Sequence, residues 1–285
     1  MIKLFYNRDI PISTLELNKY GNSNGLKSNL NTLVWGKKFS TDSIGSRPAN
    51  KWTKRPKRVW IGDSVLEGLG VGDNALVTFL IQNGDTVFQH LNLAHAGNNT
   101  LDYINIVNAI TDILDESYIS DTKSISIVYC INDVYAKTDE QVNMKRSAPL
   151  QLIANFLRIL NTYKLVRFML FQNSDFYFKY DSSLYQDEEN LLRIENHFKA
   201  IKETCVYNSI ELNVFLMPYK SQFKSRDYNP QLILSKILDA LSISNTIVDD
   251  RYLDVNQIDR YYLPSDEIHF SVEGHKALAE IFMKF

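Results

Sequence analysis

Arg58–Val65 reads RVWIGDSV, and the fold is decided there. RVWIG (58–62) is a short apolar run rich in β-branched and aromatic residues, the composition of a buried strand. Gly-Asp-Ser then breaks the run with turn and cap residues. From this point outward the pattern alternates. Further runs of strand type are TVFQHLNL (86–93), SISIVYC (124–130), LVRFMLFQ (165–172) and ELNVFLM (211–217), and TIVDD (246–250) reads as a short final strand. Between them lie stretches of helical period, at 73–83, 101–117, 147–163, 187–207, 229–241 and 273–284. In 147–163, Leu150, Ile153, Ala154, Leu157 and Leu160 share one face. Asp187 is placed to cap the helix that follows it.

Strands alternating with helices imply right-handed crossovers and a parallel sheet covered on both faces. The expected architecture is a three-layer α/β/α sandwich with about five parallel strands over 58–285, preceded by a small arm of short strands and turns over 1–57. The arm carries NKYGNSNGLKSNLN, rich in turn residues, and KWTKRPKR (51–58), with five basic residues in eight, which reads as a solvated linker or a docking patch for an anionic partner.

The composition sets limits. The chain has 285 residues, 45% hydrophobic and 22% charged, so it can build a core without disulfides or a structural metal. Its net charge of -2 gives nucleic-acid binding no global support. No apolar run reaches the ~20 residues of a membrane span. MIKLFYNRDIP does not look like a secretory leader, so the expectation is a cytoplasmic protein, with a secreted chain trimmed of its leader as the alternative. Cys130 and Cys205 are expected to be reduced and buried. The five histidines are scattered without metal-ligand spacing, and GLGVG (68–72) lacks the Lys and Ser/Thr of a phosphate loop. Neither metal nor cofactor is expected.

In parallel sheets ligands bind beyond the carboxyl ends of the strands. Gly62-Asp63-Ser64 stands there after the first strand, NLAHAGNNT with Gly97 after the second, and Asn132-Asp133 after the third. SDEIHFSVEGH near the C-terminus holds Asp266 three residues before His269. A serine oxygen needs a base, and an imidazole oriented by a carboxylate supplies one. The i, i+3 spacing of Asp266 and His269 lets both side chains share a face. An oxyanion would need fixed donors: the N–H groups of Ser64 and Gly97 and the amide of Asn132 qualify. The plainer alternatives are caps and turns. Such roles are expected of Asp63, Asp133 and His275, while His90 and His95 flank the second strand.

IGDSVLEG, LNLAHAGNNT, INDVY and DEIHFSVEGH resemble, in order, the four blocks of the SGNH hydrolases, the GDSL esterase/lipase superfamily. The resemblance covers roughly 58–285. It implies a flavodoxin-like sandwich, with Ser64 as nucleophile, His269 as base, Asp266 as its orienting acid, and Ser64, Gly97 and Asn132 around the oxyanion. Cys130 stands where the family often has Gly, and Val65 where GDSL has Leu. A nucleophile elbow of the G-x-S-x-G type is absent. STDSIGSRP (40–48) more weakly resembles a stretch preceding the catalytic domain in some bacterial SGNH proteins linked to surface carbohydrates.

The expected activity is hydrolysis of a short acyl ester, acetyl first, on a small molecule or a glycan. The alternatives are an O-acyltransferase using the same residues and an inactive carbohydrate-binding module. Turnover is expected to fall in acid, since the imidazole must be neutral. Two connections at the active edge, 174–190 and 218–230, bear on substrate. Phe176, Tyr177, Phe178, Tyr180 and Tyr185 are candidates to stack on sugar rings, and Lys220, with Lys224 and Arg226, to meet an acidic glycan.

Overall fold

A computed structural model describes residues 15–16, 25–51, 53–112, 121–135 and 174–285. The expected helix 147–163 and strand 165–172 lie outside them. The central sheet joins β5 (Lys57–Gly62), β6 (Gln89–Asn92), β7 (Thr122–Cys130), β8 (Glu211–Met217) and β9 (Ser244–Ile247) in the order β6-β5-β7-β8-β9, every pair parallel. This is the expected α/β/α sandwich.

Pleating assigns the two faces. Trp60, Val128 and Phe215 share one face, where Trp60 and Phe215 stack on Phe282 of α9 (Val272–Phe282). Tyr129 points the other way, against Phe198 of α5 (Glu188–Tyr207). Helix α9 packs with α2 (Val77–Gly84), and α5 packs with α3 (Thr100–Asp112), completing the two outer layers. β5 and β7, buried on both faces, read as the near-continuous apolar runs of 58–62 and 124–130.

Several bounds differ from the sequence reading. β6 starts at Gln89, not at 86, because the Asp85 carboxylate accepts the N–H groups of Val87 and Phe88 and turns the chain first. The helix expected at 73–83 is a short 3-10 turn, Asp73–Ala75, then α2, since Leu76 is extended between them. The connections at the active edge are largely helical. α4 (Ser174–Ser183) and a 3-10 turn, Leu184–Gln186, occupy 174–186, and α6 (Lys220–Ser225) lies within 218–230. The remaining helices are α1 (Ser64–Glu67), α7 (Asn229–Ala240) and α8 (Ile258–Tyr261).

Ahead of the sheet lie two antiparallel pairs, β1 (Leu15–Glu16) with β2 (Gly25–Leu26) and β3 (Asn31–Val34) with β4 (Lys37–Ser40). Trp35 and Gly36, both at positive φ, close the β3–β4 hairpin. The segment after β4 covers the open edge of β6: Arg47 N–H donates to Asn92 O, and Asn92 N–H to Ser46 Oγ. The basic residues of 51–58 are partly engaged, with Arg58 over the Phe88 ring and Arg55 on the Asp85 carbonyl.

Candidate active site

The chain leaves β5 for one side of the sheet, where β6 lies, and returns to its other side as β7. The crevice above this reversal is the place such sheets offer a ligand. Ser64 opens α1 directly after β5, and Asn132 follows β7. Gly62 permits the sharp exit, because a Cβ there would sit 2.9 Å from both Leu66 Cβ and the Val128 carbonyl oxygen. Asp63 caps α1 by accepting the Val65 N–H at 2.9 Å. Gly68, left-handed at φ 78, ends α1 after one turn.

The loop between α8 and α9 brings in the imidazole. Tyr262 and Phe270 pair as a bridge, and Leu263 N–H donates to His269 O, so the residues between form a closed turn. Asp266 Oδ1 accepts the N–H groups of Ile268 and His269 at 2.9 and 3.0 Å. Its Oδ2 lies 2.8 Å from His269 Nδ1. His269 Nε2 lies 2.9 Å from Ser64 Oγ. With Nδ1–H donating to Asp266, Nε2 is the acceptor facing the serine hydroxyl. Burial alone would raise the Asp266 carboxyl. The imidazole and the two backbone donors outweigh it and hold the group at about 2.

Asp63 Oδ2 is a second, longer acceptor for the serine hydroxyl at 3.2 Å, and it takes one Asn132 amide hydrogen at 3.4 Å. The second amide hydrogen of Asn132 remains for another acceptor. Asp63 is wholly buried, which raises its carboxyl despite the Val65 N–H, the His269 charge and the Asn132 and Ser64 hydrogen bonds. Asp133 ties down the turn after β7, accepting Cys130 N–H at 2.8 Å and the Tyr103 hydroxyl at 2.5 Å. Burial and then the charge of Asp63 push it well above the carboxylate range. Tyr185 supports the same turn by donating to Ile131 O at 2.8 Å. Gly97 is exposed at φ 84, with open space where a Cβ would be. Its approach to a ligand is unobstructed, and the Ser64 N–H is one of the first-turn donors that α1 itself cannot satisfy.

The structure thus brings Ser64, His269 and Asp266 into one hydrogen-bonded line, with Asn132 sharing Asp63. The remaining expected residues are placed differently. Phe178 and Tyr185 are buried in the core, where aromatic area is best spent, so neither is open to a sugar ring. Phe176 and Tyr177 lie on α4, their side chains outside what is described. Tyr180 is 41% exposed and stacks on Tyr135, itself 36% exposed, with ring centroids 6.3 Å apart. Lys220 is already paired, its Nζ 2.7 Å from Asp259. His275 is fully buried and accepts the Val77 N–H at Nδ1, a packing role. Both cysteines are free and buried, and burial pushes Cys205 up to about 12. Among the described residues no cluster of three or more His, Cys, Asp or Glu could hold a metal ion, and no helix is long and apolar enough to cross a membrane.

Sequence reading passed over Tyr135 and Glu67, and quoted Arg47 only as part of STDSIGSRP without giving it a role. Tyr135 follows Asn132 by three residues, which was the available signal. A carboxylate inside SVLE, one turn beyond Ser64, was the signal for Glu67.

No protein-family model and no curated protein matches the chain. Solved structures are similar at low identity. One is a catalytic mutant of Axe2, an acetylxylan esterase from Geobacillus stearothermophilus, at 16% identity over 81% of this chain and 95% of that one, TM-score 0.45. A lipase/acylhydrolase from Enterococcus faecalis gives 13%, 81%, 94% and 0.45 in the same order. A member of the lipolytic protein G-D-S-L family from Veillonella parvula gives 10%, 80%, 96% and 0.44. At these values the likeness carries no argument, and function rests on the site itself.

Proposed function

We propose that the chain is an SGNH-type serine ester hydrolase that removes a short acyl group, acetyl first, from a carbohydrate hydroxyl. The line Ser64 Oγ, His269 Nε2, His269 Nδ1, Asp266 Oδ2, with gaps of 2.9 and 2.8 Å, carries the reading. Ser64 Oγ attacks the ester carbonyl while its proton passes to Nε2. The imidazolium so formed is stabilised by Asp266, which is ionised throughout the neutral range. The carbonyl electron pair moves onto oxygen, toward the N–H groups of Ser64 and Gly97 and the Asn132 amide. Collapse re-forms the carbonyl, breaks the bond to the leaving alcohol oxygen and gives that oxygen the Nε2 proton. Water then attacks the acyl-serine by the same route, releasing the carboxylic acid and restoring Ser64.

Asp63 is a bracing residue in this scheme. Its carboxylate fixes the start of α1 and orients Asn132. The stacked Tyr135–Tyr180 pair favours a sugar over a long acyl chain, since exposed tyrosine faces suit ring stacking and the Tyr135 hydroxyl is already held by Asp181.

The test is turnover of p-nitrophenyl acetate and of acetylated oligosaccharides by the full chain and by Ser64→Ala. Turnover is expected in the wild type and is abolished in the variant, with the circular dichroism spectrum unchanged. A variant with wild-type rates would remove Ser64 from the chemistry.

A further inference from the structure

Glu67 follows Ser64 by one helical turn and is wholly buried. A buried carboxylate is costly unless its oxygens are used, and here only Oε2 is, Oε1 being buried without a hydrogen-bond partner among the described residues. Glu67 Oε2 accepts the Ala96 N–H at 2.5 Å and lies 3.2 Å from His95 Nδ1. Ala96 immediately precedes Gly97. Ala94, His95 and Asn98 are buried, but nothing would meet a Cβ at Gly97, so hydrogen bonds on either side help to hold that peptide. On its far side Asn98 Nδ2 donates to Gly62 O at 3.1 Å, and on its near side His95 N–H donates to the same carbonyl at 3.2 Å. Glu67 is therefore the tether that joins the loop to the helix bearing Ser64.

The C-terminal end of that helix is also gripped from outside the sheet. Arg47, in the segment after β4, is 2% exposed. Its guanidinium donates to the carbonyls of Glu67, Gly68 and Val71, the last two at 3.0 and 2.6 Å. The Nε lies 3.5 Å from Asp73, whose carboxylate also accepts from Ser40 Oγ at 2.6 Å. A cation with several fixed donors, set against carbonyls at and just beyond the end of a one-turn helix, locks that end in place.

We infer that Glu67 and Arg47 are positioning residues for the oxyanion site: Arg47 fixes the end of α1, and Glu67 holds the Ala96–Gly97 peptide in register with Ser64. The inference rests on the function proposed above. It makes residues near 47, well before the sheet, a working part of the site.

The experiment compares the full chain with Glu67→Ala, Glu67→Gln and Arg47→Lys, by steady-state kinetics on p-nitrophenyl acetate and by amide hydrogen exchange. Glu67→Ala is expected to lower kcat by about 10- to 100-fold with KM within about twofold, because a misplaced donor is lost mainly in the transition state. Exchange in 94–99 should quicken at least about tenfold, with the sheet strands unchanged. Glu67→Gln keeps an acceptor oxygen for Ala96 and should recover kcat to within about threefold. Arg47→Lys cannot reach three carbonyls and should quicken exchange in both 64–71 and 94–99. Unchanged exchange in 94–99 in Glu67→Ala overturns the inference, as does a Glu67→Gln variant no better than Glu67→Ala. Should Glu67→Ala not fold, Arg47→Lys decides alone, and faster exchange confined to 25–50 refutes it. A wild type without esterase turnover would fail the functional reading, and the exchange data would still decide the tether.

Discussion

His275 gives the sharpest quantitative expectation. It is fully buried on α9, with Nδ1 accepting the Val77 N–H at 3.2 Å. Burial, with smaller contributions from the charges of Arg47 and His269, lowers it from 6.5 to about 3. A neutral folded imidazole and a protonated unfolded one make stability depend on pH. Its contribution is fully present above the unfolded value of 6.5 and is lost as pH falls toward about 3. The slope is about 1.4 kcal/mol per pH unit, so the full span is worth about 5 kcal/mol, comparable to the whole stability of many domains. Asp42 works the other way. Burial, against the N–H groups of Ile44 and Ser46, raises it to about 6, so its favourable share is present in acid and lost as pH rises through about 6. The total profile therefore mixes signs, and the difference between wild type and His275→Gln isolates the histidine. Glutamine keeps an acceptor for Val77 and carries no titration. Urea unfolding at pH 7.5, 6.5, 5.5 and 4.5 should find the variant less stable by about 1–2 kcal/mol at neutral pH. Below pH 6.5 that deficit should shrink by about 1.4 kcal/mol per unit and then reverse. A deficit that stays constant over the four pH values would refute the reasoning.

Two further outcomes are expected. Asp266→Asn should fold and bind but lose about 10³- to 10⁴-fold in kcat on p-nitrophenyl acetate, because an amide neither selects the tautomer nor stabilises the imidazolium; a loss under tenfold would contradict its role. Gly68→Ala should cost about 2–4 kcal/mol in chemical unfolding, since its φ is 78 and a Cβ would lie 2.2 Å from Leu76 Cδ1, whereas a change below 0.5 would show that the turn can relax.

The sheet was readable because its strands obey the simplest pattern. β7, buried at nearly every position, is a near-continuous apolar run over 124–130, and β8 matches its expected bounds. Asp187 announced α5 because a capping carboxylate is a local signal, and its side chain accepts the Glu189 N–H at 3.0 Å. The blocks around Ser64 and His269 could be singled out because few residue types can form a hydroxyl–imidazole–carboxylate line. What escaped was structure held by buried polar groups. α4 has no apolar stripe; Phe178 anchors it, and Asp181 accepts the hydroxyls of Tyr135 and Tyr219, the latter at 2.5 Å. α6 sits on a Gln222–Gln231 amide pair that is fully buried. Hydrophobic periodicity cannot find such elements, because it reads polar side chains as solvent-facing. Arg47 and Glu67 were hidden for the same reason.

The most direct test is intact-mass analysis after treatment with a fluorophosphonate, with peptide mapping of the adduct. The wild type should gain one phosphonyl group, on Ser64, and His269→Ala should react at least about 10³-fold more slowly. An unmodified wild type, or an adduct on any other serine, would contradict the account.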